Sequence, residues 1–334
     1  MSEASTIAAT VWAFIEAMDD YGLDGRKLVR EAGVDPDHVK DPDARYPAWQ
    51  MASLWRVARA ATGDEAVGVR VGRYVRPTTL HALGFAWLAS DCLLDALRRL
   101  NRYHRLLNTG LNMVLVESGM TVTLDAEFTA PELKAIPFPA DCVSSAVIHM
   151  CRLSLRNDFA PRAVELKRAT PADPQPWIDE FTTTLEFEAR HNRLVFDLKT
   201  LLEPLPGSNT ELAMANEQIA AAYLARFDRD NVTMQVRQRL VEMLPAGRVS
   251  QDSVAESLNI SARTLQRRLE TEGTTFTDLT DETRSELARQ YLAQPHYSVT
   301  QVAYLLGFSE PSNFARAFRR WTGRSPSQFQ QTAA

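Results

Sequence analysis

The sequence predicts an α+β N-terminal domain with a small sheet, followed by an all-α C-terminal domain of two helix-turn-helix units joined by a linker helix. Three observations lead there. Over the first 200 residues, apolar side chains recur at three- and four-residue spacing in some stretches and alternate in others. A breaker cluster, Pro204-Leu205-Pro206-Gly207-Ser208-Asn209, closes that region. The last hundred or so residues, roughly one domain's worth, carry an internal repeat.

Taken in order, residues 7–18 and 49–62 read as helices and 24–32 as a shorter one. Residues 34–47 hold three prolines and read as a connecting loop. Helical spacing returns over 80–89 and 93–107. The pattern then switches to two strands, 112–117 and 120–128, around a Ser118-Gly119 turn. A helix over 143–156 is followed by short strands at 163–167, 184–187 and 193–196, with His191-Asn192 as a turn. An Ala-rich helix over 210–227 reads as a connector or a dimer seam. The chain is thus expected to divide into an N-terminal domain over 1–208, a connecting helix over 209–230 and a C-terminal domain over 231–334.

The repeat aligns Val254-Ala255-Glu256-Ser257-Leu258-Asn259-Ile260-Ser261 with Val302-Ala303-Tyr304-Leu305-Leu306-Gly307-Phe308-Ser309, at an offset of 48. One extra residue in the second turn then makes the offset 49, so that Leu265, Arg267 and Leu269 match Phe314, Arg316 and Phe318. Each copy has the parts of a helix-turn-helix, the first over 251–270 and the second over 299–321. Ala255 or Ala303 lets two helices cross closely, and Asn259 or Gly307 tolerates positive φ at the turn. Ile260 or Phe308 plugs the turn into the core. Ser261 or Ser309 is placed to cap the second helix, and Pro311 suits a first helical turn. Leu265 and Leu269, or Phe314 and Phe318, form the buried stripe.

The opposite face of each second helix carries the chemistry. Arg263, Gln266 and Arg267 in the first unit, and Ser312, Asn313 and Arg316 in the second, are candidates for base reading. Arginine bonds guanine bidentately in the major groove, and Asn or Gln does so with adenine. Ser261, Arg268, Arg319, Arg320 and Arg324 are placed for phosphate contact. A single unit would leave room for a helical bundle with a solvated polar face. Two with matching turn chemistry point to a reader of double-stranded DNA. A linker helix over 277–294, stopped by Pro295, would be about 27 Å long at 1.5 Å per residue. That length suits two readers in adjacent turns of one duplex, about 34 Å apart.

Charge agrees once the chain is split. The whole carries −5, yet residues 229–334 hold 13 Arg, no Lys and 11 Asp+Glu, a balance of +2 against −7 for 1–228. The lack of lysine favours forked hydrogen bonding over diffuse attraction. Residues 1–10 contain no basic side chain, and no run approaches the roughly 18 apolar residues of a membrane span, so neither an export leader nor a membrane partner is expected. Three scattered cysteines, Cys92, Cys142 and Cys151, argue for a reducing, cytoplasmic setting, and six dispersed histidines offer no metal-ligand spacing. No cofactor is expected. Enzyme classes lose ground because the chain has no phosphate-binding glycine loop, no Gly-x-Ser-x-Gly and no His-Glu-x-x-His. The paired acids Asp19-Asp20 and Asp281-Glu282 are adjacent, so on a helix they point apart.

These C-terminal residues resemble the AraC family of bacterial transcription regulators. The likeness is carried by residues 253–269 and, more specifically, by the run from Val302 to Ser312 with Phe314, Phe318, Trp321-Thr322-Gly323 and Ser325-Pro326, and by Arg284, Ala288 and Leu292 in the linker. Phe329 stands where the family more commonly has Tyr, and Gln330 where Arg is usual, which would remove a phosphate contact. The N-terminal portion is similar to the arabinose-binding-like region of ornithine-utilisation and virulence regulators through its helical start, Gly84 and the stretches 93–102 and 201–209. The resemblance implies a nucleoid-associated transcriptional activator that works with RNA polymerase, responds to a small-molecule effector and can form a homodimer. Arg76, His81 and Tyr103, in one stretch with Arg73, Tyr74 and His104, are candidates to hold an anionic effector. The alternative is a constitutive DNA-binding regulator whose N-terminal domain only dimerises or meets a partner protein. A fused DNA-repair methyl acceptor, also known with such readers, would need a zinc-activated cysteine cluster that this sequence lacks.

Overall fold

A computed structural model describes residues 4–227, 232–247, 249–292 and 297–333. Two units partition the chain, Met1–Ala220 and Ala221–Ala334. In the first, β1 (Ser5–Ile7) leads through a 3-10 turn into α1 (Val11–Asp20) and α2 (Gly25–Glu31). The Asp24 carboxylate caps α2 by accepting from the Lys27 amide at 2.9 Å. β2 (Arg45–Pro47) returns to pair antiparallel with β1. Four helices follow: α3 (Ala48–Thr62), α4 (Val67–Gly72), α5 (His81–Leu88) and α6 (Leu93–Leu107). β3 (Leu111–Ser118) and β4 (Thr121–Phe128) then form a hairpin in which Ser118 faces Thr121. After α7 (Pro131–Lys134) and α8 (Phe138–Ser154) come β5 (Ala163–Glu165), α9 (Gln175–Phe181), β6 (Thr184–Glu186), β7 (Arg193–Asp197) and α10 (Leu198–Leu201). The five strands lie in the order β3-β4-β7-β5-β6, antiparallel except for β5 and β6. α11 (Thr210–Phe227) contains the division between the units.

The α+β class and the small sheet agree with the sequence, and the hairpin and α6 fall within one residue of expectation. Three departures have local causes. Residues 7–18 are not one helix, because β1 finds β2 as a partner and α1 begins only at Val11. The expected loop over 34–47 contains β2 and a 3-10 turn, Pro36–Lys40. α4 and α9 were not expected, being too short for a periodic signal and interrupted by Gly or led by Pro. Docking holds α4 in place: a Cβ on Gly72 would lie 2.6 Å from the Ser145 Cβ, and one on Gly68 would collide with the Phe138 carbonyl.

Buried charge in this unit is paired. Arg168 bonds Asp141 at 2.6 Å and lies over the Trp177 ring at 4.1 Å. Burial pushes the Asp141 carboxyl up to about 6 against the pull of Arg168. Glu217, on α11, accepts from Arg102 at 2.7 Å, Tyr103 at 3.0 Å and Arg99 at 3.1 Å. Burial alone would raise the Glu217 carboxyl, but the two guanidiniums and the phenol outweigh it and hold the pKa below the usual range.

The second unit is helical: α12 (Val232–Met243), α13 (Gln251–Ser257), α14 (Ala262–Thr271), α15 (Phe276–Leu292), α16 (Val299–Leu305), α17 (Pro311–Thr322) and α18 (Pro326–Ala333). The expected end of the linker at 293–295, and of the connecting helix at 228–230, lie outside the described residues. Two cores fill the unit. The first is aliphatic, with Val236, Leu240, Val254, Leu265, Leu269 and Leu279. The second is aromatic, with Phe314 and Phe318 at its centre and Phe308, Trp321 and Phe329 against them.

Candidate nucleic-acid interface

Each core presents one helix-turn-helix, and the backbone repeats the sequence repeat bond for bond. Ile260 N donates to Ala255 O and Phe308 N to Ala303 O, each at 3.0 Å. Asn259 N donates to Glu256 O and Gly307 N to Tyr304 O, each at 2.9 Å. Asn259 and Gly307 take φ of +55° and +75°, the left-handed turn that the sequence requires there. Capping boxes start both leading helices, Ser250 with Ser253 for α13 and Ser298 with Gln301 for α16.

The second helices begin differently. Ser261 caps α14, its Oγ accepting from the Thr264 amide at 3.2 Å. Ser309 does not cap α17. The N-cap there is Glu310, without a side-chain bond, and Pro311 opens the helix. The extra turn residue that shifts the repeat from 48 to 49 also moves the cap one position along, and proline opens the helix with a pre-set helical φ and no N–H of its own to satisfy.

On α14, Arg263, Gln266, Arg267 and Arg268 are all exposed, opposite buried Leu265 and Leu269. The Gln266 amide donates to Glu270 at 3.0 Å, while Arg263, Arg267 and Arg268 make no ion pair among the described residues. On α17, Ser312, Asn313, Arg316, Arg319 and Arg320 are exposed, opposite buried Phe314 and Phe318, and Arg324 is exposed just beyond the helix. Here two guanidiniums are occupied: Arg316 donates to the Asn313 amide oxygen and Arg320 to Asp281 on α15, both at 2.6 Å.

α15 ties the two readers together. Leu279 lies in the first core, Ala288 and Leu292 in the second, and Leu287 packs against both. Arg284 donates to the Leu306 carbonyl at 3.0 Å, and its guanidinium stacks 4.7 Å from the Phe308 ring. Burial lowers the Arg284 pKa, with Asp281 opposing. A Cβ on Gly307 would lie 2.8 Å from the Leu244 carbonyl, so the second turn also abuts the first core. At 17 residues, α15 is about 25 Å long. Sequence reasoning found Arg284, Ala288 and Leu292 only through resemblance; their roles as turn clamp and core residues depend on tertiary packing. Gln330, where a phosphate contact had been expected to be lost, donates to the Tyr297 carbonyl at 2.7 Å.

The effector candidates of the first unit have different local surroundings. Arg76 pairs with Glu16 at 3.0 Å, and buried Tyr103 donates to Glu217 at 3.0 Å. His81 opens α5 at φ +54°, beside Gly84, whose close approach to the Pro77 carbonyl leaves no room for a Cβ.

Two arginine-bearing helices, each the second member of a helix-turn-helix and both fixed to one linker, define a DNA-binding transcriptional regulator. Comparison with known proteins supplies the family. The model described as the arabinose-binding domain of AraC transcription regulators, N-terminal, matches residues 22–205, more than half of the chain, and a helix-turn-helix domain model matches 254–332. The chain belongs to the AraC family of transcription regulators. It is 28% identical to the ornithine utilization regulator of Pseudomonas aeruginosa over 96% of this chain and 94% of that one. It is 25% identical to the transcriptional regulator VirS of Mycobacterium tuberculosis over 98% and 97%. Among solved structures, the regulator CdpR of Pseudomonas aeruginosa matches at 21% identity and a TM-score of 0.45, covering 95% of this chain and 97% of that one. Among the described residues, no helix is long and apolar enough to cross a membrane.

Proposed function

We propose that this regulator reads double-stranded DNA with α14 and α17 and activates transcription in response to a small-molecule effector. The observation that carries the reading is the pair of exposed, arginine-bearing helices on one linker packed into both cores. Arg263, Gln266 and Arg267 contact bases in one major groove and Ser312, Asn313 and Arg316 in the next. Ser261, Arg268, Arg319 and Arg324 hold phosphates, and Arg320 joins them by exchanging Asp281 for DNA. Residues 1–208 sense the effector, 209–230 connect and 231–334 bind, in the cytoplasm and with RNA polymerase as partner. The description of the matching N-terminal family and the name of the ornithine utilization regulator support a ligand-responsive first unit.

A second reading, a constitutive regulator whose first unit only dimerises, is favoured by Leu212 and Ile219, exposed seven residues apart on α11. Selection from a random DNA pool with the full-length protein tests the shared claim. The expected product is a site of two elements about one helical turn apart, bound about a thousandfold or more tighter than random DNA. Binding without sequence preference, lost uniformly as salt rises, would contradict it.

A further inference from the structure

The N-terminal unit holds a partly open cavity of about 150 Å³. Phe14, Trp55, Trp87 and Phe128 contribute rings to its wall, and no Asp, Glu, Lys, Arg or His stands among the described lining residues. Its few polar side chains are largely committed to the protein. Thr10 Oγ1 donates to the Ile7 carbonyl at 2.8 Å. Asn108 Nδ2 donates to Thr6 Oγ1 at 2.9 Å, and Asn108 Oδ1 accepts from the Gly110 amide at 2.8 Å. The Trp87 indole N–H is used by Ser154 at 3.0 Å. Burial pushes the Cys142 thiol up to about 12, so it stays neutral.

We propose that this cavity binds a small, neutral, predominantly apolar molecule, about the size of a monocyclic aromatic, with at most one hydrogen-bonding group received at the Thr6–Asn108 corner. Protein interiors keep few voids larger than a water molecule, and apolar cavities of about this volume stay dry and take up benzene-sized guests. An ion would lose its hydration with no opposite charge in the wall to replace it. A pentose, the ligand named by the domain's family description, would bury several hydroxyls against a wall with one polar corner. Occupancy can be sensed: α6 gives Leu100 and Leu107 to the wall, and from its other positions Arg99, Arg102 and Tyr103 hold Glu217 on α11.

The ligand class rests on the reading of the first unit as an effector domain, so the test reads binding and DNA affinity separately. Full-length protein is titrated with toluene and indole, and in parallel with benzoate, L-ornithine and L-arabinose. At ten times its Kd, toluene or indole should raise Tm by about 3–6 °C, while the other three leave it unchanged. Ala146→Phe, which fills the cavity, should weaken that binding tenfold or more. Should this variant fail to fold, xenon density in the cavity of the unaltered protein under pressure gives the same answer. No Tm rise with either apolar probe together with no xenon density would overturn the proposal, as would saturable benzoate, ornithine or arabinose binding abolished by Ala146→Phe. Apolar binding that leaves affinity for the selected DNA site unchanged upholds the cavity assignment and overturns the effector reading instead.

Discussion

The two helix-turn-helix units share a backbone but differ in core and in surface. The first closes on aliphatic Leu265 and Leu269 and leaves three arginines of α14 without ion pairs among the described residues. The second closes on tilted, mutually packed rings, Phe308 to Phe314 at 5.6 Å and Phe314 to Phe318 at 5.7 Å, and holds Arg316 and Arg320 in internal bonds. The first unit thus offers ready guanidiniums and the second a pre-ordered pair, so specificity should lean on α14 and positioning on α17.

The largest expected effect falls on the cores. Phe318→Ala should destabilise the second half by about 3–5 kcal/mol, and Leu269→Ala the first by about 2–5 kcal/mol. Segment-resolved hydrogen exchange should show each loss strongest in its own half; equal loss throughout would mean that the two cores are a single cooperative body. Next comes base reading. Arg267→Ala should weaken specific binding by about 1–3 kcal/mol, and Arg316→Ala by the lower part of about that range, because Asn313 already takes one of its donors. Competition between selected and random DNA distinguishes the cases: equal losses on both would make these phosphate contacts. A smaller effect, below about 1 kcal/mol, is expected from Asp281→Ala, which removes the competitor for exposed Arg320 and should tighten binding to all sequences while leaving the salt slope nearly unchanged, since Arg320 meets phosphate in both proteins.

The smallest effects concern pH. Arginine stays charged throughout the physiological range, so DNA affinity contributed by these helices should be flat between about pH 6 and 8. Asp141 in the N-terminal unit, Met1–Ala220, behaves otherwise. Its folded pKa of about 6 lies above the unfolded value, so its contribution to stability is full below the unfolded pKa and is lost as pH rises through about 6. Asp141→Asn should remove that slope in unfolding measurements.

Much of this was legible in the chain. The repeat placed both turns, Asn259 and Gly307 included, because a left-handed residue followed by an apolar plug is a local requirement. α6 and α11 matched because their spacing is long and regular. The cap of α17 was misplaced at Ser309, since an inserted residue can fall on either side of a cap and only the folded turn decides. The commitments of Arg316, Arg320 and Tyr103 to Asn313, Asp281 and Glu217 were hidden for another reason: two of the three partners are distant in sequence. The cavity was equally hidden, because its wall is drawn from residues 6 to 150 and no single stretch carries its signature.

Hydroxyl-radical footprinting of the full-length protein on its selected site, with Arg267→Ala and Arg316→Ala beside it, tests the central claim most directly. The account predicts protection in two adjacent turns of one face of the duplex, with each variant weakening a different turn. Protection of a single turn, or both variants weakening the same one, would contradict it.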